Sequence, residues 1–289
     1  MLKRKIAGLK WTLTDLRSRV FRNHVPKHKG NSQHELRDYQ VYPSGGNLSQ
    51  EFFTQPSGQF PKIIDKTTPI TSIGSCFAVE IRHHLRDAKF NFINTRESWA
   101  GSAEWGRVYT TKNLLQIFQY TFTEFLPNIR IIRSSRGYYD PYREGPFFET
   151  EDAAEQEQLQ HYKDSRKALT ECEVLIVTPG QNEAWIERDD GLAWVRRPQK
   201  ETREELGEDR FSVKRFTLEE NIKHLSDSLA LLWANNPETK VIFTLSPVPS
   251  DATFYDANVA VRSIENKAIL LLAIKEVVAQ HPERAYYFP

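Results

Sequence analysis

Cysteine is scarce in this 289-residue chain, which has two, Cys76 and Cys172, far apart in sequence. That is neither a disulfide framework nor a zinc-ligand spacing. It fits a reducing compartment, so a cytoplasmic location is the expectation. No apolar run of about 18 residues occurs, so no membrane-spanning helix is expected. A secretory pattern is missing as well, because Lys3, Arg4, Lys5, Lys10, Arg17 and Arg19 interrupt each early apolar stretch. Charge of one sign does not dominate either. The net charge is +1, which speaks against a nucleic-acid partner for the chain as a whole. There is no glycine-rich phosphate loop, no metal-ligand spacing and no internal repeat, so no cofactor or metal is expected.

What is present suits one α/β domain with insertions. Residues 1–30 carry nine Lys or Arg against one acid, Asp15, and Ile6, Leu9, Leu13, Leu16, Val20 and Phe21 recur at helical spacing. This predicts a basic amphipathic arm over residues 1–40, set off from a domain over 41–289. Two roles for the arm stay open. It docks on its own domain or on a partner chain, or residues 1–30 touch an anionic membrane surface. Residues 31–66 are rich in Ser, Gly, Pro, Asn and Gln and read as an irregular lead-in.

Strands and helices then alternate. Ile70–Gly74, Phe90–Ile93, Val174–Thr178, Lys240–Leu245 and Ala285–Phe288 read as strands, and Val174–Thr178 is apolar enough for the centre of a parallel sheet. Helices are expected over about 77–88, from Thr110 or Thr111 with Leu114, Leu115, Phe118 and Phe122 buried, and from Asp152 to about Thr170. Another follows the Thr217–Glu220 capping box, and a last one spans roughly Ala257–Gln280. In that last helix Val261, Ile264, Ala268, Leu271, Leu272 and Val278 are expected to face the core. Residues 126–150 read as an inserted loop or hairpin. Arg188–Gly191 is a hairpin turn, and residues 197–213 a charged loop. The alternation calls for a parallel sheet of about five strands, covered on both faces and with its site beyond the carboxyl ends of the strands.

The organising stretch is Ile70–Leu85. A buried strand meets Gly74, and a helical stripe begins at Phe77, so Ser75 and Cys76 fall on the first turn of a helix. A nucleophile there has N–H donors beside it for a developing oxyanion, and a thiolate is favoured at a helix N-terminus. Gly74-Ser-Cys-Phe-Ala78 is the motif of the GSCFA family, and the chain resembles that family, which belongs with the SGNH (GDSL-like) hydrolases. Thr178–Trp185 and Ser246–Phe254 are similar to the family too, and the resemblance runs from about Tyr42 to the last residue.

The resemblance implies a three-layer α/β/α, flavodoxin-like domain that hydrolyses or transfers an acyl ester. By analogy with related families, an acylated carbohydrate is one substrate class. The nucleophile stays open between Cys76, which holds the serine's place when the motif is anchored on Gly74, and Ser75, which matches by residue type. The resemblance also implies Asn182 as an oxyanion-hole amide and a backbone donor at Gly106 or Gly101. Gly180, Glu183 and Ser246 are expected to shape the pocket. The family's general base is a histidine in an Asp-x-x-His element after a Tyr-Phe-Pro stretch. Here that stretch is Tyr287-Phe288-Pro289, so the base is expected beyond Pro289. Without it, the chain is a non-catalytic binding or scaffold protein that keeps the fold. His83, His84, His161, His224 and His281 read as surface or packing residues. Trp99, Trp105, Trp185 and Trp194 offer stacking faces for sugars, although buried packing is the simpler account. The partner expected is a small-molecule or glycan ester. No oligomeric state is implied.

Overall fold

The structure, a computed structural model, describes residues 61–96, 103, 105–123 and 130–289. The basic arm, Trp99 and Gly101 lie outside the described residues. Ile63–Pro289 forms one compact unit.

Its centre is a parallel sheet of four strands in the order β1 (Ile70–Gly74), β4 (Val174–Thr178), β8 (Lys240–Phe243) and β9 (Ala285–Tyr287). The register sets Gly74 opposite Thr178, and Val177 opposite Phe243, so the carboxyl ends of β1, β4 and β8 finish side by side. Both β1 and β4 are buried along their whole length, as strands covered on two faces should be. The expected strand at Phe90–Ile93 is absent as a regular element. Phe92 pairs beside Ile70, and Arg107 beside Gly74, each as a single bridge. The chain thus touches the outer edge of β1 twice and does not run along it, so the sheet has four full strands.

Helix α1 (Cys76–Asp87) covers one face of the sheet through Ile81 and Leu85 against Ile70, Val174 and Ile176. On the other face, Ile73, Leu175, Val177, Val241 and Phe243 belong to the main core. Four helices supply its other half, namely α2 (Thr111–Phe122), α3 (Glu151–Glu171), α5 (Leu218–Asn235) and α6 (Val259–Gln280). The result is the three-layer α/β arrangement. Sequence signals for the caps hold at two of these helices. Thr110 Oγ accepts from the Asn113 amide at 3.1 Å, and Thr217 with Glu220 forms a complete capping box. At α3 the cap is Thr150 and not Asp152, which sits inside the first turn. The expected face of α6 holds at Val278, which packs against the main core, and fails elsewhere. Leu270, Ala273, Ile274 and Val277 are buried, whereas Val261, Ile264 and Leu272 are exposed. Seven apolar residues stand in a row over 268–274 of this helix, so composition allows more than one stripe and only the packing beneath selects one.

Two smaller sheets are built out from this frame. β2 (Ile132–Ser134) and β3 (Gly137–Tyr139) form the inserted hairpin. The Arg188–Gly191 turn joins β5 (Glu183–Glu187) to β6 (Ala193–Trp194), as expected. A third strand, β7 (Phe211–Arg215), pairs antiparallel with β5 out of the stretch read as a charged loop, which also holds helix α4 (Lys200–Leu206). Its exposed half carries Lys214 and Arg215, which hid the alternation. Glu187 ties these parts together. Its carboxylate is 1% exposed and accepts from Trp194 Nε1 at 2.6 Å, Tyr142 Oη at 3.2 Å, Arg130 at 2.7 Å and Arg210 at 3.1 Å. Replacing it with alanine strips all four donors at once, and two of them are deep in the core. Glu187→Ala is expected to cost about 3 kcal/mol, near the lower end for a broken buried ion pair because Arg130 regains water. The urea midpoint measures the loss.

Candidate active site

The strand-to-helix turn at β1 is held by its neighbour. Ser75 N donates to the Thr178 carbonyl at 2.9 Å, and Gly74 lies so close to β4 that a Cβ on it would sit 2.1 Å from Thr178 Oγ1. Ser75 is the N-cap of α1. Its Oγ accepts from the Phe77 amide at 3.3 Å, and the residue is only 1% exposed. Cys76 is the first residue of the helix proper, and its free thiol is half-buried. Of the two nucleophile candidates, one is spent inside as a cap and the other reaches the surface.

The remaining motifs arrive at the same edge. Gly180 follows β4, and a Cβ there would stand 3.2 Å from Ser75 Cβ and 3.3 Å from Ser246 Cβ. Ser75, Gly180 and Ser246 therefore make a continuous row across the ends of β1, β4 and β8. The segment at 106–109 closes the other side. Val108 N donates to the Gly74 carbonyl at 2.7 Å, while Gly180 and Gln181 both donate to the Tyr109 carbonyl, at 2.9 and 3.1 Å. Gly106 has φ +68°, and a side chain there would meet Glu144 Cβ at 2.5 Å, so glycine is needed for conformation and for room alike.

Asn182 departs from its expected place. It is fully buried, its amide donates to the Phe216 carbonyl at 2.7 Å, and its oxygen accepts from Asn221 at 2.8 Å. The chain of bonds continues to Thr111, whose hydroxyl donates to Asn221 Oδ1 at 2.7 Å. Asn182 thus pins the start of β5 to α5 and α2 and does not face the crevice, because two buried elements claim its polar atoms. Glu183 holds the loop after β8. It accepts from Thr253 Oγ1 at 2.8 Å and from the Phe254 amide at 3.3 Å.

Sequence reasoning missed Lys267. From α6 its Nζ donates to the Gly180 carbonyl at 2.7 Å, which brings an amine to the centre of the row. Burial lowers its pKa to about 8, and the charge of Cys76 works in the opposite direction. Burial also raises the pKa of the Tyr109 phenol. Cys76 adds to that rise, whereas Arg107 and Arg196 oppose it. Thiol, amine and phenol therefore share one electrostatic neighbourhood. No local signal could have marked this lysine, since it is one of several polar residues along the helix, Glu265 and Asn266 directly before it. The described histidines are engaged elsewhere. His83 and His84 are exposed on α1, and the rings of His161, His224 and His281 pack on Trp105, Phe216 and Trp233. Of the tryptophans, Trp105 and Trp194 are buried in the core, while half-buried Trp185 meets Phe254 edge-on at 5.2 Å.

The model of the GSCFA family matches residues 69–289, which takes in the turn, the Gly180 motif and the Ser246 loop. The chain belongs to the GSCFA family. Among solved structures, this GSCFA protein is similar to an acetyl xylan esterase (Est2A) from the rumen bacterium Butyrivibrio proteoclasticus. The identity is 12%, over 78% of this chain and 55% of that chain, with a TM-score of 0.30. The GSCFA chain thus spans about half the length of that protein, and a likeness of this degree defines no activity. No protein of curated function matches it. Among the described residues no helix is long and apolar enough to cross a membrane, and no cluster of His, Cys, Asp or Glu could hold a metal.

Proposed function

We propose that this GSCFA protein is an ester-cleaving enzyme of the SGNH kind, with Cys76 as its nucleophile. The observation that carries the reading is the half-buried thiol at the N-terminus of α1, beside the Ser75–Gly180–Ser246 row and within reach of the charge of Lys267. In this reading the Cys76 thiolate attacks the acyl carbon, the ester C–O bond breaks, and the alcohol leaves with a proton. Water or an acceptor alcohol then releases the acyl group from the thioester, giving hydrolysis or transfer. The partial positive charge at the start of α1 favours the tetrahedral oxyanion. Lys267 exchanges its proton near pH 8 and is placed to serve both steps. The substrate class is a small-molecule or glycan ester, in which half-buried Trp185 offers a face for a sugar ring. One observation favours the non-catalytic scaffold instead, namely the sequestered amide of Asn182.

The test is a panel of nitrophenyl and sugar acetyl esters, followed by acid quench and mass spectrometry of the intact chain. An acyl group on Cys76 is the expected result. No turnover and no adduct on any ester would favour the scaffold. Lys267 gives a second handle. Below about pH 8 it is charged and attracts the thiolate, and above that it is neutral. Lys267→Met is expected to slow iodoacetamide alkylation of Cys76 roughly 3- to 10-fold at pH 7. The difference should vanish toward pH 10, and Lys267→Arg should keep the wild-type rate at pH 7.

A further inference from the structure

A second concavity lies between the β2–β3 insertion and the segment after β6. Its walls include Arg136, Arg143, Arg196 and Arg197, with Tyr139, Phe147 and Trp194 as the apolar part and Glu144 as the acid. The chemistry of that lining is lopsided. Glu144 is already engaged by Arg107, through both its backbone amide and its guanidinium, and by Arg196. Burial, followed by repulsion from Arg107 and Arg136, lowers the pKa of Arg196. Arg136 rests on the Phe147 ring at 4.0 Å, and Arg197 stands over Trp185 at 5.4 Å, so neither has an acid against it there.

The decisive residue is Arg143. Its side chain is 1% exposed and one guanidinium nitrogen pairs with Glu157 at 3.0 Å, yet its Nε and Nη1 have no hydrogen-bond partner. A buried guanidinium normally has its N–H groups satisfied, and an unpaired one carries a cost that a ligand would remove. Gly145 packs closely against that edge. A Cβ at this position would lie 2.8 Å from Arg143 Nε. The glycine has no unusual φ, so the backbone does not demand it. The closeness of the guanidinium does.

We propose that this concavity is a binding site for a compact oxyanion, a carboxylate, sulfate or phosphate group carried on an apolar or aromatic body. Arg143 brings to the wall of the concavity a buried guanidinium with two unpartnered nitrogens, Nε and Nη1, each a single donor for an oxyanion. Arg136, Arg196 and Arg197 supply the surrounding positive charge, and Tyr139, Phe147 and Trp194 take the body. The site neighbours the candidate nucleophile, because Arg196 and Cys76 both act on Tyr109. The bound group is therefore either a free anion or the anionic end of the ester substrate. The second case rests on the function proposed above, and the first does not.

The experiment uses the full chain and inorganic phosphate, titrated calorimetrically at constant ionic strength with chloride as the balancing ion. Saturable binding in the millimolar range or tighter is expected. Arg196→Ala with Arg197→Ala, both exposed positions, should weaken it at least about tenfold. Gly145→Ala changes no charge and should weaken it as well, because a Cβ 2.8 Å from Nε must displace the Arg143 guanidinium. Cooperative thermal melts in these variants show that they fold. A titration with no saturable heat, or equal affinity in wild type and both variants, overturns the proposal. Two nitrophenyl esters then separate the sources, one with a neutral acyl chain and one ending in a carboxylate. A loss of kcat/KM in the double variant for the acidic ester alone assigns the site to substrate, and equal rates assign it to a free anion. Phosphate binding without turnover of either ester leaves the site standing while the catalytic reading falls.

Discussion

Cys76→Ala is expected to reduce ester cleavage on the order of 10⁴-fold or more, the usual scale for removing a covalent nucleophile. The argument is one of accessibility and position. Cys76 opens α1 with its thiol half-buried, within the electrostatic reach of the Lys267 amine and beside the row formed by the three motifs. The other thiol, Cys172, serves as an internal control. It is 2% exposed, and burial pushes its pKa up to about 12, so it stays protonated and shielded at neutral pH. A stoichiometric iodoacetamide probe should label one site in native protein, and peptide mapping should place the label on Cys76. Ser75→Ala makes the complementary measurement. Losing an N-cap hydroxyl costs about 1 kcal/mol of stability, and activity should survive at the same order of magnitude. If the alanine variant of Cys76 turns over like wild type while that of Ser75 is dead, the nucleophile has been assigned to the wrong residue.

The second large effect concerns the turn itself. Gly74→Ala would place a methyl group 2.1 Å from Thr178 Oγ1, 2.6 Å from the Thr178 carbonyl oxygen and 2.7 Å from its amide nitrogen. Two of these three atoms are backbone in a central strand, so no side-chain rotation relieves the clash. β1 and β4 must separate at their carboxyl ends, breaking the bond from Ser75 N to the Thr178 carbonyl. A cost of about 3 kcal/mol or more is expected, which for a unit of this size lowers Tm by roughly 6–12 °C. Gly180→Ala is the contrasting case. Its Cβ would meet side chains at 3.2 and 3.3 Å, contacts that a few tenths of an ångström relieve. That variant should melt within about 3 °C of wild type. Equal Tm values for both variants and wild type would show that the strands do not approach as closely as the structure has them.

Several parts of this molecule are legible from local sequence because the forces behind them are local. An unbroken apolar run such as Val174–Thr178 has no choice but burial, and a threonine followed three residues later by glutamate caps a helix within one turn. The Gly74, Gly180 and Ser246 motifs each end a strand, so a parallel sheet gathers them at one edge whatever the connections do. Other features were hidden for equally physical reasons. β7 carries charge on its outward positions and looks like a loop until β5 pairs with it. α6 has an unbroken apolar run over 268–274, so its periodicity supports more than one buried stripe.

Sequence alone determined the α/β alternation, the family, and the three turns whose glycines and serines meet at the sheet's carboxyl edge. Tertiary structure alone decided which side chain at the first turn surfaces, that Asn182 is consumed by Phe216 and Asn221, and that Lys267 reaches Gly180 from a helix 87 positions away. It also decided that one buried arginine keeps two donors free behind Gly145. Caps and stripes are written within a few residues. Which partner satisfies a buried polar atom depends on packing between distant segments, which no short window of the chain contains.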